Sequence, residues 1–188
     1  MKNFTKRLFD IVASAAGLIL FSPVFIVLII LIRRDSSGGA FFLQERVGRN
    51  ERVFTCIKFR TMAVGTPHVG SHDAQQSWIT PLGKKLRSSK LDEIPQLINV
   101  LRGDMSLVGP RPCLPNQADV IAARRQRNVF AVRPGVTGLA QIRQIDMSTP
   151  AQLAEADATY IEEQGLLSDL AIILSTVSGG GKGDRATR

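Results

Sequence analysis

The sequence predicts an α/β (α+β) protein: an N-terminal helix-break-helix hairpin set re-entrantly in a membrane, followed by a small β-hairpin and amphipathic helices around a compact cytosolic domain. Three observations lead there. Residues 11–32 form a run of 22 residues without a charge, with Ser22-Pro23 in its middle. Residues 40–47 and 52–62 read as strands about a polar turn, and from Pro81 onward leucine and isoleucine recur at helical spacing. A chain of 188 residues accommodates one ordinary domain and an appended element. The expected division is an anchor over 1–34, a cytosolic domain over 35–178 and a loose tail over 179–188.

As one straight helix, the uncharged run would measure about 33 Å at 1.5 Å per residue, enough to cross a bilayer. Pro23 opposes that, since it removes a backbone donor and clashes with the preceding turn. Both flanks are also basic, Lys2, Lys6 and Arg7 on one side and Arg33 and Arg34 on the other. Cytoplasmic flanks are the ones that carry Lys and Arg, so the chain is expected to enter and leave by the same face. A hairpin broken at Ser22 and Pro23 meets that demand, with the Ser22 hydroxyl serving a carbonyl that the proline frees. The re-entrant reading is preferred over a kinked span, and a buried helix of a soluble core is the weakest of the three. A cleaved signal peptide is disfavoured because Arg33-Arg34 follows the run.

After Asp35-Ser36-Ser37-Gly38-Gly39, the two strands and the turn Gly48-Arg49-Asn50-Glu51 make a hairpin. Lys58 and Arg60 fall on one face of the second strand and suit an anion, although a solvated face reads equally well. Residues 63–79 read as a mobile loop, and its His68 and His72 are spaced by chance rather than for a metal. Leu82 and Leu86 among Lys84, Lys85 and Arg87 then mark a basic amphipathic helix. The next helix carries Leu91, Ile94, Leu97, Ile98 and Leu101 on one stripe and ends at Gly103. Pro95 is acceptable there only in the first turn, which sets Asp92 and Glu93 at the N-terminal end.

Free N–H groups and the positive end of the helix dipole favour ionised carboxylates at that position. An ionised carboxylate can be a nucleophile or a metal ligand. Adjacent Asp92 and Glu93 can hold Mg²⁺ while neighbouring Arg87 and Lys90 hold phosphate oxygens, the division of labour that phosphoryl transfer requires. Acidic residues at helix starts are more often plain dipole partners, so the pair alone decides nothing. Farther on, Gly109-Pro110-Arg111-Pro112 and the turn from Arg133 to Gly138 present Arg111 and Arg133 on rigid loops, as phosphate holders or simply as turns. The helical stretch around Arg124, Arg125 and Arg127 suits membrane headgroups and, on its charge alone, nucleic acid equally. A helix over 151–164 follows, and the last apolar stretch, 166–177, is too short to span and is preferred as a core helix.

Charge supports anionic partners. The net charge of +8 divides into +12 over residues 1–143 and −4 over 144–188. The acidic residues from Asp146 to Asp169 fit the solvated face of a helix. Nucleic acid is not expected among the partners, because aromatic residues make up 6% and no stacking platform is visible. Cys56 and Cys113 stand far apart with neither disulfide-framework nor zinc spacing, which favours a reducing compartment.

Taken together, Lys6-Arg7-Leu8-Phe9-Asp10, Ser22-Pro23, residues 58–62 (KFRTM), 91–97 (LDEIPQL), 99–106 (NVLRGDMS), 108–112 (VGPRP) and 133–141 (RPGVTGLAQ) resemble the bacterial sugar transferases known as monotopic phosphoglycosyl transferases. The resemblance covers nearly the whole chain, and the order and spacing of the motifs make it strong. It implies transfer of sugar-1-phosphate from a UDP-sugar to undecaprenyl phosphate, releasing UMP, at the cytoplasmic face of the bacterial inner membrane. That step initiates assembly of a glycoconjugate such as O-antigen, capsule, exopolysaccharide or a glycoprotein glycan. By the same resemblance Asp92 is the nucleophile of a ping-pong reaction through an aspartyl-phosphosugar intermediate, and Glu93 helps with Mg²⁺ and with protons. Lys58, Arg60, Arg87, Arg111 and Arg133 are then candidates to neutralise substrate phosphates.

Where many relatives continue Leu-Ala-Gln with Val-Asn-Gly-Arg, this chain has Ile142-Arg143-Gln144-Ile145-Asp146, which puts the sugar specificity in doubt rather than the reaction. Without the extra N-terminal helices of larger relatives it is expected to be a minimal catalytic form. Whether it works as a homodimer stays open. The alternatives are a noncatalytic, membrane-anchored binder of anions, which leaves the adjacent carboxylates without a reason, or an anchored binder of nucleic acid.

Overall fold

The computed structural model describes residues 2–66 and 75–179, so His68, His72 and the tail beyond Gly179 lie outside the described residues. The chain is a mixed structure of helices and two small sheets. Helices α1 (Lys2–Leu20) and α2 (Ser22–Asp35) meet at a 61° bend. Pro23 in the first turn of α2 cannot donate to Ile19 O, and the Ser22 hydroxyl donates to that carbonyl instead, at 2.8 Å. Neither helix is long and apolar enough to cross a membrane alone, but the bent pair together has the length and composition.

Half of this hairpin is built into the domain. Lys6 pairs with the buried Asp169 at 2.6 Å, and Arg7 donates to Val100 O and Leu101 O at the C-terminal end of α4 (Gln96–Arg102). Asp10, also buried, accepts from the Ser106 hydroxyl at 2.8 Å and from Leu107 N at 3.1 Å. Toward the bend the helices turn apolar residues outward, with Ile19, Leu20, Ile26 and Val27 all exposed. Past the bend, Phe25, Leu28 and Ile32 pack with Ala40, Phe59 and Leu86.

Strands β1 (Phe41–Val47) and β2 (Val53–Phe59) form the expected antiparallel hairpin, joined through a 3₁₀ turn over Arg49–Glu51. In β1 the usual pattern is inverted: Gln44 and Arg46 are buried while Phe41 and Leu43 are exposed. A second sheet is new. Strand β3 (Ser106–Val108) pairs in parallel with β4 (Gly135–Thr137), from segments whose glycines and prolines read as turns. The glycines permit the pairing, since a Cβ on Gly135 would lie 2.1 Å from Gly109 N and one on Gly138 would lie 2.2 Å from Gly109 O.

Helix α3 (Pro81–Ser88) begins on a Thr80 cap and leads through a 3₁₀ turn, Leu91–Glu93, into α4, with Pro95 capping α4 and Gly103 ending it in the left-handed region at φ 94°. The apolar stripe expected on α4 is only half-buried. The residues sunk deepest in that helix are Gln96, Asn99 and Val100. Asn99 behaves as an added peptide group beside β2: its Oδ1 accepts from Ile57 N at 3.0 Å and its Nδ2 donates to Thr55 O at 2.7 Å. Asn99→Ala leaves both strand groups unserved in a dry interior and is expected to destabilise the fold by about 2–4 kcal/mol in thermal or denaturant unfolding.

The remaining helices are α5 (Ala118–Gln126), α6 (Leu139–Ile142), α7 (Pro150–Glu163) and α8 (Leu166–Val177). Two expectations are corrected here. Arg124 is not a surface headgroup contact, because it is 1% exposed and pairs with Asp157 of α7, while Arg125 pairs with Glu51. The acidic stretch is likewise not uniformly solvated, since Asp157 and Asp169 are both buried. Helix α8 is a core helix on one side only. Asp169 and Ile172 face inward, whereas Leu167 and Val177 are 84% and 82% exposed.

Candidate active site

Asp92 and Glu93 occupy the 3₁₀ turn before α4, entered through Lys90 in the left-handed region at φ 58°. A non-glycine residue in that region carries local strain, and here it re-aims the chain so that both carboxylates follow at once. Two cations from distant segments converge on Glu93. Lys58 Nζ on β2 donates to Glu93 Oε1 at 2.9 Å, and Arg111 Nη2 donates to the same oxygen at 2.7 Å. Asn99 holds β2 against α4 and so fixes the distance from Lys58 to the dyad.

The two carboxyls have opposite proton affinities. Burial pushes Asp92 up from the ordinary 3.8 to about 6, and the Glu93 charge adds to the rise, against the pull of Lys58, Arg87 and Arg111. For Glu93 the burial penalty is overcome by Arg111 and Lys58, which hold it well below the usual carboxylate range. Near neutrality Glu93 is an anchored anion, and Asp92 is ionised but poorly solvated. A desolvated carboxylate surrounded by cations is a competent nucleophile toward an electrophile whose own negative charge those cations offset.

Arg87 on α3 pulls on the Asp92 carboxyl and donates through Nε to Thr61 Oγ1 at 3.0 Å. Asp92, Glu93, Lys58, Arg87 and Arg111 therefore come together. Arg60 and Arg133 do not join them. Beyond the end of β2, Arg60 donates to Ser36 O at 2.7 Å, Ser37 O at 2.6 Å and Ile32 O at 3.3 Å, closing the C-terminal end of α2. Arg133 Nε donates to Gly103 O at 2.8 Å and, with Arg7, closes the end of α4. Both arginines satisfy helix-end carbonyls that otherwise lack donors.

Four residues that brace the segments carrying the dyad's partners were not among the candidates: Arg46, whose Nη1 donates to Pro112 O at 3.0 Å, Asn99, and the pair Arg124–Asp157, where Arg124 Nη1 donates to Arg111 O at 2.7 Å. A signal existed for Arg46, since a strand that turns glutamine and arginine inward and phenylalanine and leucine outward marks its inner side as polar. Gln96, buried one turn beyond the dyad, has an Nε2 with no partner among the described residues. No cluster of three or more His, Cys, Asp or Glu side chains is present among the described residues. Adjacent Asp92 and Glu93, with no cluster of three such ligands among the described residues, are a donor set that would suit a divalent cation shared with an anionic ligand rather than a cage made by protein alone. The thiols of Cys56 and Cys113 are free and buried, and burial pushes both up in pKa.

Known proteins carry related sequences. The chain is 35% identical to the exopolysaccharide production protein ExoY of Rhizobium meliloti, over 93% of this chain and 84% of that protein. It is 40% identical to the UDP-glucose:undecaprenyl-phosphate glucose-1-phosphate transferase of Caulobacter vibrioides, over 93% of this chain and 69% of that one. With the undecaprenyl-phosphate galactose phosphotransferase of Salmonella typhimurium the identity is 36%, and the match spans 93% of this chain but 40% of the longer relative. Residues 1–182 match the bacterial sugar transferase family as a whole, and the chain belongs to that family.

Proposed function

We propose that this transferase moves a sugar-1-phosphate from a UDP-sugar to undecaprenyl phosphate at the cytoplasmic face of the membrane and so initiates assembly of a glycan. The observation that carries the reading is the buried Asp92 beside a Glu93 clamped by Lys58 and Arg111. The Asp92 carboxylate attacks the β-phosphorus of the UDP-sugar, and the bond from that phosphorus to the bridging oxygen breaks. UMP leaves with the electron pair and the phosphosugar stays on Asp92. An oxygen of undecaprenyl phosphate then attacks the same phosphorus and frees the carboxylate. Lys58, Arg87 and Arg111 offset the negative charge that both substrates bring. Asp92 and Glu93 would hold Mg²⁺, which supplies further charge neutralisation on the diphosphate.

Membrane lipid is the second partner in this reading. Exposed Ile19, Leu20, Ile26 and Val27 on the hairpin and Leu167, Leu174 and Val177 on α8 supply apolar surface for it. A re-entrant hairpin holds the dyad near the headgroups, where a lipid-borne phosphate and a soluble nucleotide sugar can both arrive. Two measurements test the proposal. With polyprenyl phosphate and Mg²⁺, a panel of UDP-sugars is expected to yield UMP from at least one donor, and mass spectrometry without the acceptor is expected to find a phosphosugar on Asp92. Single-cysteine labels at the two chain ends are expected to react from the same side of the membrane. Labelling from opposite sides would replace the re-entrant hairpin with a span.

A further inference from the structure

We infer that Arg124 and Asp157 are positioning residues for Arg111: they fix the backbone that aims its guanidinium at Glu93. The inference rests on the reading of Arg111 as a group that offsets substrate charge. Arg124 on α5 and Asp157 on α7 are 33 positions apart and belong to no part of the dyad. Their side chains are 2% and 3% exposed; Arg124 Nε donates to Asp157 Oδ2 at 2.9 Å, and Nη2 lies 2.7 Å from the same oxygen as an ion pair without a hydrogen bond of its own. The third arm of the fork, Nη1, donates to Arg111 O at 2.7 Å.

This bond is one of an unbroken series along the loop. Pro110 O accepts from Gly135 N at 2.9 Å, Arg111 O from Arg124, Pro112 O from Arg46 Nη1 at 3.0 Å, and Cys113 O from Val47 N at 2.9 Å. Four consecutive carbonyls each have a donor, two of those donors are buried guanidiniums, and prolines on both sides of Arg111 restrict the backbone further. The segment is buried on both sides of Arg111, so each of its carbonyls requires a donor. What bears on Arg111 is that the donor to its own carbonyl is a guanidinium fixed by an ion pair, which holds the backbone from which the side chain delivers one nitrogen to a carboxylate oxygen 2.7 Å away.

The geometry separates positioning from stability in an experiment. Replacing a buried ion pair by apolar residues of similar size is often neutral or stabilising, whereas Arg111 O loses its donor, so Arg124→Met combined with Asp157→Leu is expected to leave the full-length protein folded in nanodiscs with at most a modest drop in melting temperature. Its kcat for UMP release is expected to fall about 10- to 100-fold with KM for the UDP-sugar little changed, since Arg111 is displaced rather than removed. In an Arg111→Ala background the same pair of changes is expected to cost nothing more. Losses that multiply in that background, or wild-type turnover from the apolar pair, would overturn the inference. Should the apolar pair not fold, Arg124→Lys is judged by the same two criteria, because it keeps the charge but not the fork.

A second readout needs no turnover. In ¹⁵N NMR the Arg111 guanidinium, assigned by its loss in Arg111→Lys, is expected to show restricted rotation in the wild type and free rotation in the apolar-pair variant. If the wild type releases no UMP from any donor, the transferase reading fails, and this signal still decides whether Arg124 and Asp157 hold Arg111. Equal rotation in both proteins would refute the positioning role.

Discussion

Asp92→Asn is expected to abolish sugar-phosphate transfer while making the protein more stable at pH 7. The first effect follows from chemistry: an amide of the same shape cannot form the phosphoryl ester, and removal of a nucleophile costs on the order of 10⁴-fold or more in turnover. The second follows from linkage. Asp92 has a pKa of about 6 in the fold against 3.8 ordinarily, chiefly because burial penalises its charge and Glu93 repels it. A carboxyl whose pKa is raised by folding favours the folded state only while protonated, so that contribution is complete below about pH 4 and is lost as pH rises through about 6. The shift of roughly two units corresponds to a penalty of up to about 3 kcal/mol at pH 7. Asparagine carries no charge and escapes it. Thermal melts of both proteins between pH 4 and pH 7 check this, with a gap that opens in favour of the variant as pH rises. A variant less stable than the wild type at pH 7 would mean that Asp92 is not held against its own solvation, and turnover by the variant would remove it from the chemistry.

What could be read before folding is what short stretches of chain decide by themselves. Pro23 cannot continue a helix without losing the bond to Ile19 O, and Ser22 stands in position to replace it, so the break was local. Gly103 ends α4 in the left-handed region and Pro95 caps its start, which placed the dyad at that end. The destination of each cation was not local. Arg60 and Lys58 are two residues apart, yet one serves the end of α2 and the other Glu93, because packing decides which carbonyls and carboxylates are left without donors. Arg133 and Arg111, both on proline-bearing turns, divide in the same way. Arg124 looked like a headgroup contact because nothing near it in sequence announces Asp157. Asn99 stood in a quoted motif without a role of its own, since its value depends on β2 lying alongside. The pairing of β3 with β4 hid behind glycines that serve close backbone contact rather than turning.

Glu93→Gln is the sharper test of how the dyad shares its charge. Glu93 raises the proton affinity of Asp92, while Lys58, Arg87 and Arg111 lower it. Removing the Glu93 charge leaves three cations facing a single carboxylate, so the Asp92 pKa is expected to fall below about 6 and the acidic limb of the kcat/KM profile to move to lower pH with it. Turnover is nonetheless expected to drop by about 10²- to 10³-fold. Lys58 and Arg111 lose the anion that holds them at 2.9 and 2.7 Å and close directly onto Asp92, so they mask the nucleophile instead of standing beside it to meet the charge of the substrate. The two results together separate a neighbour that tunes the nucleophile from one that merely fills space. A rate loss with the acidic limb unmoved would assign Glu93 to packing alone, and a limb moving upward would mean that Lys58 and Arg111 depart with the charge they were paired to.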